Sequence, residues 1–164
     1  LLADASALVQ RLATTDELTG LINRHGLTLQ LTSLVANATR YDQPLFVAFV
    51  DVVGLKAAND RHGHDFGDDV IQCVARAVSN AVRDGDLVAR WGGDEFIVVG
   101  LGSAPDPRVL SDRLHASIAR SGINLDQWTG RVSLGLAETA GQHIDVDELI
   151  SAADEDMYRR RFAP

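Results

Sequence analysis

Two acidic positions stand out for where they fall. Asp51 closes a run of six apolar residues, Leu45 to Val50, and Asp94 with Glu95 follows the glycine pair Gly92-Gly93. A carboxylate left unpaired beside a buried apolar strand is costly unless a cation or hydrogen-bond donors meet it. If the two segments lie side by side, Asp51 and Asp94 converge on one edge of a sheet. They then form a hard oxygen site suited to magnesium that also binds phosphates, and metal so held lowers the pKa of an attacking hydroxyl. Read alone, the same aspartates also serve as turn residues that cap strands. The glycine pair lets backbone approach a ligand closely, but is equally a common turn.

The segment after Asp51 carries a second kind of chemistry. Val52-Val53-Gly54-Leu55-Lys56 turns from strand into a short helix, and successive N–H groups at such a start attract anions. Lys56 adds a point charge that suits a phosphate or simply stays solvated. Further on, Asn59 and Asp68 could read a base. Guanine presents N1–H and an amino group side by side, which a carboxylate accepts together; adenine lacks that pair, and the mismatch leaves groups unpaired. Taken singly, Asp68 is also an ordinary acid near a helix N-terminus.

The elements that must position these residues follow from periodicity. Leu1, Ala5, Leu8 and Leu12 mark a helix over 1–13 with a short heptad seam. That seam packs on its own domain or forms the end of an upstream signalling helix, with the domain proper spanning 14–164. Thr14 to Leu21 is polar and ends the helix. A second helix runs from Asn23 to Arg40 and stops before Pro44. Leu45 to Val50 is a strand apolar on both faces, hence buried. Gly54 to Arg61 forms a short helix, 65–82 a strong amphipathic one. Leu87 to Arg90 and Glu95 to Val99 form a hairpin through Gly92-Gly93. A helix containing Leu110, Leu114 and Ile118, a strand Val132 to Ala137 and a last helix Val146 to Arg161 complete the chain. Strand–helix–strand–strand–helix–strand is the pattern of an α+β domain of ferredoxin-like or palm type, a mostly antiparallel sheet flanked by helices.

Bulk properties narrow the partners. The chain has 164 residues, 46% hydrophobic and 23% charged, as expected of one globular domain. Its net charge of -8, with no long basic stripe, argues against nucleic-acid binding. An acidic chain still binds a nucleoside triphosphate when metal ions screen the phosphates. One cysteine, Cys73, allows no intrachain disulfide and fits a reducing compartment. No apolar run is long enough to span a bilayer. The first residue is Leu1 rather than Met, so a piece of a longer protein is expected.

Taken together, these segments resemble the GGDEF family of diguanylate cyclases. The matching stretches are Asp16-Glu17-Leu18-Thr19-Gly20-Leu21-Ile22-Asn23-Arg24, then Asp51 through Asp68, then Arg90-Trp91-Gly92-Gly93-Asp94-Glu95-Phe96. Val132-Ser133-Leu134-Gly135-Leu136-Ala137 and Ala153-Asp154-Glu155-Asp156-Met157-Tyr158 complete the set. Five ordered motifs at compatible spacing make the resemblance specific.

The resemblance implies a nucleotidyl cyclase-like palm in which two copies face each other, each holding one GTP, and make cyclic di-GMP and pyrophosphate. It implies that Asp51, Asp94 and the Val52 carbonyl hold Mg2+, with Mn2+ as an alternative. Asp94 is then the general base, Glu95 assists at the metal, and Lys56 steadies phosphate charge. Gly54, Leu55, Gly92, Gly93 and Arg161 line the GTP site, and Asn59 and Asp68 hold guanine. Arg83-Asp84-Gly85-Asp86 has the Arg-x-x-Asp form five residues before Gly92. The family uses this offset as a product-inhibition site, in which Arg83 and Asp86 would grip cyclic di-GMP; the same motif also suits a salt-bridged turn. A cytoplasmic domain is implied, controlled by an upstream sensor or dimerisation module, in a parent protein that is soluble or membrane-anchored. There are departures: Val53 stands where the family often has a second Asp, Gly54-Leu55 replaces a pair that often carries Phe, and Arg161 replaces a Lys. The chain ends at Pro164, before an expected Arg. These departures leave room for a catalytically weak module that binds GTP or cyclic di-GMP and regulates another domain.

Overall fold

The computed structural model describes residues 13–139 and 144–162. The heptad seam of Leu1 to Leu12 lies outside the described residues. The element order is β1 (Ile22–Asn23), α1 (Arg24–Arg40), β2 (Leu45–Val52), α2 (Leu55–His62), α3 (His64–Ala81), β3 (Leu87–Arg90), β4 (Glu95–Leu101), α4 (Pro107–Ala119), β5 (Val132–Glu138) and α5 (Val146–Arg161). Five strands form one sheet in the order β1-β3-β4-β2-β5. Among the described residues only the β1–β3 pair is parallel; the other strand pairs are antiparallel. The fold is α+β, as the element pattern predicts.

β2 is buried at every position but Asp51 because it is paired on both edges, to β4 and β5, and covered on both faces. Its alternate side chains enter two different cores. Phe46, Ala48, Val50 and Val52 join Phe96, Val98 and the apolar faces of α3 and α4. Leu45, Val47 and Phe49 join Ile97, Val99, Leu27 of α1 and Leu149, Ala153 and Met157 of α5. Helices therefore pack against each side of the sheet, a three-layer arrangement.

Local chemistry sets the boundaries. Asn23 caps α1 by accepting from the Gly26 N–H, and Asp145 caps α5 by accepting from Asp147 and Glu148. The predicted span of α5 matches the observed one at both ends. β4 runs to Leu101, two residues beyond the expected Val99, because its partner β2 continues to Leu45 opposite it. β1 was not expected from the pattern. It has two residues and exists only through its pairing to Ala89 and Arg90. On the α5 side, Gly135 lies so close to the helix that a Cβ there would collide with the Ala153 carbonyl oxygen and the Met157 backbone.

Candidate functional site

Strand parity decides where Asp51 points. In β2 the odd positions 45, 47 and 49 face α1 and α5, so Asp51 extends that face beyond the apolar core. Its cross-strand partner in β4 is Glu95, and directly opposed residues share a face. The ladder continues one step further, with the Val52 N–H donating to the Asp94 carbonyl at 3.0 Å. Asp51, Asp94 and Glu95 are thus gathered at one end of the two central strands.

The electrostatics record this crowding. Burial, then the charge of Asp94, pushes the Asp51 carboxyl up to about 6, with Glu95 and Asp154 adding to the repulsion and Arg161 opposing it. Glu95 is raised by the same order of causes, burial and then Asp94, with Arg24 opposing. Arg161, at the end of α5, places Nη1 3.3 Å from Asp51 Oδ1. The donor set suits a hard divalent cation. Two carboxylates repel each other across a half-buried edge and carry excess negative charge for a metal to neutralise. Among the described residues no three His, Cys, Asp or Glu side chains gather closely enough to hold a metal by themselves. The remaining ligands would come from backbone and from phosphate oxygens, the usual habit of Mg2+.

The turn carrying Asp94 is braced from outside. Trp91 and Gly92 N–H groups both donate to the Glu95 carbonyl, at 2.8 and 3.3 Å. Arg90 Nη2 donates to the Gly93 carbonyl at 2.7 Å, while its Nη1 donates to both carboxylate oxygens of Asp16 at 3.2 Å. Asp16 also accepts from the Thr19 N–H and hydroxyl. Burial pushes the Asp16 carboxyl up, but the Thr19 hydrogen bonds and the Arg90 charge outweigh it, so it titrates below its usual value. The Arg24 guanidinium lies 4.1 Å over the Trp91 ring. A side chain at Gly92 would meet the Glu95 carboxylate, which would have to swing aside.

The family model described as diguanylate cyclase, GGDEF domain, matches residues 13–163. The chain belongs to the GGDEF family. It is 35% identical over 155 residues to the response regulator PleD of Caulobacter vibrioides, a match covering 92% of this chain and 34% of that protein. It is 34% identical over 164 residues to diguanylate cyclase DgcP of Escherichia coli, covering 98% and 48% respectively. The chain therefore spans a third to a half of these relatives. The solved coiled coil and GGDEF domain of DgcB from Caulobacter crescentus, in complex with c-di-GMP, matches with a TM-score of 0.83. Its identity is 28%, over 98% of this chain and 86% of that one. A sensory box/GGDEF family protein from the same organism has a TM-score of 0.74 and 31% identity, over 92% and 99%.

In this GGDEF domain the remaining residues singled out by sequence fall into two groups. Near the carboxylates, Gly54 adopts a φ of 81°, which only glycine takes readily, and opens α2. Leu55 packs on the α3/α4-side core, while Lys56 is exposed and forms no ion pair among the described residues. Asn59 lies against Gly67 of α3, where a Cβ would collide with its Oδ1, so Asn59 is brought to within one residue of exposed Asp68. Asn59 Oδ1 is buried and has no partner among the described residues. The second group, Arg83 and Asp86, lies at the other end of the β3–β4 hairpin. From Glu95 to Gly100 and beyond is roughly 20 Å of strand. There the Asp86 carboxylate accepts from the Arg83 N–H at 3.0 Å and lies against Gly100. The Arg83 guanidinium is exposed, without an ion pair among the described residues.

Sequence reasoning missed three contributors. Trp128 donates from Nε1 to the Val53 carbonyl at 2.7 Å. Asp156 accepts from the Leu136 N–H of β5 and from Arg160, which ties α5 to the edge strand. Asp154 adds negative charge near Asp51 and Glu95. The acidic pair lay inside a quoted motif; nothing in the local pattern around Trp128 announced its role.

Proposed function

We propose that this domain is a diguanylate cyclase, which joins two GTP molecules into cyclic di-GMP with release of two pyrophosphates. The observation that carries the reading is the gathering of Asp51, Asp94 and Glu95 at the end of β2 and β4, beside the β2–α2 loop. Family membership and the relatives named above support it.

Each domain binds one GTP. Asn59 and Asp68 hold guanine, while Gly54, Leu55, Gly92 and Gly93 leave backbone open to the triphosphate and Lys56 and Arg161 supply positive charge. A divalent cation, Mg2+ or Mn2+, held by Asp51, Asp94 and the Val52 carbonyl, neutralises phosphate charge and lowers the pKa of the attacking hydroxyl when bound. A second copy presents its GTP face to face. The 3′-oxygen of one GTP bonds to the α-phosphorus of the other as that phosphorus separates from the oxygen bridging to the β-phosphate. Pyrophosphate leaves with the bonding pair, and Asp94 takes the hydroxyl proton. Repeating the step in the opposite direction closes the ring. Lys56 stabilises charge on the transferring phosphate, the main task in phosphoryl transfer. Cyclic di-GMP also binds at Arg83 and Asp86 and limits its own synthesis. A single domain supplies half a site, so an upstream sensor or dimerisation module sets the rate by raising the effective concentration of pairs. Use of GTP places the reaction in the cytoplasm. Among the described residues no helix is long and apolar enough to cross a membrane.

The test is incubation with GTP and Mg2+, followed by chromatographic separation of nucleotides. Cyclic di-GMP with two equivalents of pyrophosphate is expected. Nucleotide binding without turnover at high protein concentration would instead mark a regulatory module.

A further inference from the structure

A buried indole must find an acceptor for its single N–H. Trp128 is 3% exposed and belongs to the core on the α3/α4 side. Its acceptor is the Val53 carbonyl, at 2.7 Å. The Val53 N–H in turn donates to the Arg131 carbonyl at 3.0 Å. Both backbone groups of residue 53 are thus fixed by the short segment that precedes β5. Gly54 follows with its positive φ, and α2 begins at Leu55.

The same segment reaches the far end of α2. Gln127 Nε2 lies 3.3 Å from Nδ1 of His62, the last residue of that helix. The segment is itself rigid: the Asn124 carbonyl accepts from Gln127 and Trp128, at 3.1 and 3.2 Å, and Asn124 Oδ1 accepts from the Asp126 N–H. α2 has eight residues and buries only Ala58 fully. A helix that short has little stability of its own, so its direction depends on what grips its ends. It carries Lys56 and Asn59.

We propose that Trp128 is a positioning residue for nucleotide recognition: its hydrogen bond to Val53 sets the β2–α2 loop and so aims α2, presenting Lys56 to phosphate and Asn59 to guanine. This rests on the GTP reading above. Trp128 itself touches no reacting group. Its action passes through the Val53 backbone, and Gln127 reinforces it at His62.

The deciding variant replaces Trp128 with benzothienylalanine, which keeps the shape of the ring system but puts sulfur where the N–H was; Trp128→Phe is its simple companion. Binding is read by calorimetry with a non-hydrolysable GTP analogue and Mg2+, and with the matching inosine nucleotide, which lacks the guanine amino group. Loss of one hydrogen bond that orients the site should weaken GTP-analogue binding about three- to tenfold. Because Asn59 is aimed by the same helix, the preference for guanine over hypoxanthine should narrow. A Leu110→Val change in the same core, chosen for an equal loss of thermal stability, should alter neither. Unchanged affinity and unchanged base preference in the isosteric variant would overturn the proposal. A wild-type domain that binds no guanine nucleotide would defeat the GTP reading, and this inference with it. A wild-type domain that binds but does not cyclise leaves the comparison intact, because binding is what is read.

Discussion

Replacing Asp51 by asparagine should stabilise the metal-free domain while removing its activity. The Asp51 side chain is 17% exposed, and burial followed by the Asp94 charge lifts its carboxyl from 3.8 to about 6. A carboxyl raised in the folded state keeps its proton longer there than in the unfolded chain. Between those two values the native state binds more protons, so stability is fully present below pH 3.8 and is lost as pH rises through about 6. Each pH unit of separation corresponds to about 1.4 kcal/mol, so ionised Asp51 costs the fold on the order of 2–3 kcal/mol at neutral pH. The attraction to Arg161 already lies within that figure; the arginine is 40% exposed and its pairing is worth no more than about 1 kcal/mol. Asp51→Asn removes the charge and retains the shape. Allowing for relaxation, it should raise stability near neutral pH by about 1–2 kcal/mol, or roughly 3–6 °C in Tm. The assay is thermal unfolding of both proteins in chelator from pH ~4 to ~8, alongside turnover of GTP with Mg2+. The stability gap should be nearly closed at the acid end and open through the titration of Asp51, with turnover lost at every pH. A variant less stable than wild type at neutral pH, or a gap that does not vary with pH, would refute the reasoning.

Three further outcomes are expected. If Asp94 acts as the proposed base and metal ligand, Asp94→Ala should reduce cyclic di-GMP formation by at least about a hundredfold, with a circular dichroism spectrum like that of wild type. Arg83→Ala should leave the initial rate of synthesis unchanged but raise the concentration of cyclic di-GMP giving half inhibition by about tenfold or more, as loss of a charge-assisted contact implies; unaltered inhibition would place product control elsewhere. Gly67→Ala drives a methyl group into Asn59, so GTP should bind several-fold more weakly while the inosine nucleotide is less affected, as competitive binding would show.

Much of this molecule is legible in its sequence because the chemistry is local. The unbroken apolar run from Leu45 to Val50 marks a strand buried on both faces, and Asp51 at its end is conspicuous because a carboxylate there needs a partner. The inward stripe Leu149, Ile150, Ala153 and Met157 defines α5 without reference to anything else, and the structure adds the Asp145 cap at its start. What escaped detection depends on distant segments. Ile22–Asn23 is too short to show a period and becomes a strand only by lying beside β3. The Arg90–Asp16 bridge joins residues 74 positions apart, and the Trp128–Val53 bond spans 75. Arg161 was expected to meet phosphate; its ion pair with Asp51 depends on the path of α5 across the sheet, which no single segment encodes.

The contact at Gly135 shows how that path is set. With no side chain between them, the strand and the Ala153–Met157 stretch of α5 touch backbone to backbone, and this point acts as a fulcrum. Arg161 rides on the free arm beyond it, about 12 Å along the helix from Ala153. The smallest added bulk at the pivot would tilt the whole rod and swing the guanidinium away from Asp51. A glycine buried against α5 therefore governs where the counter-charge stands.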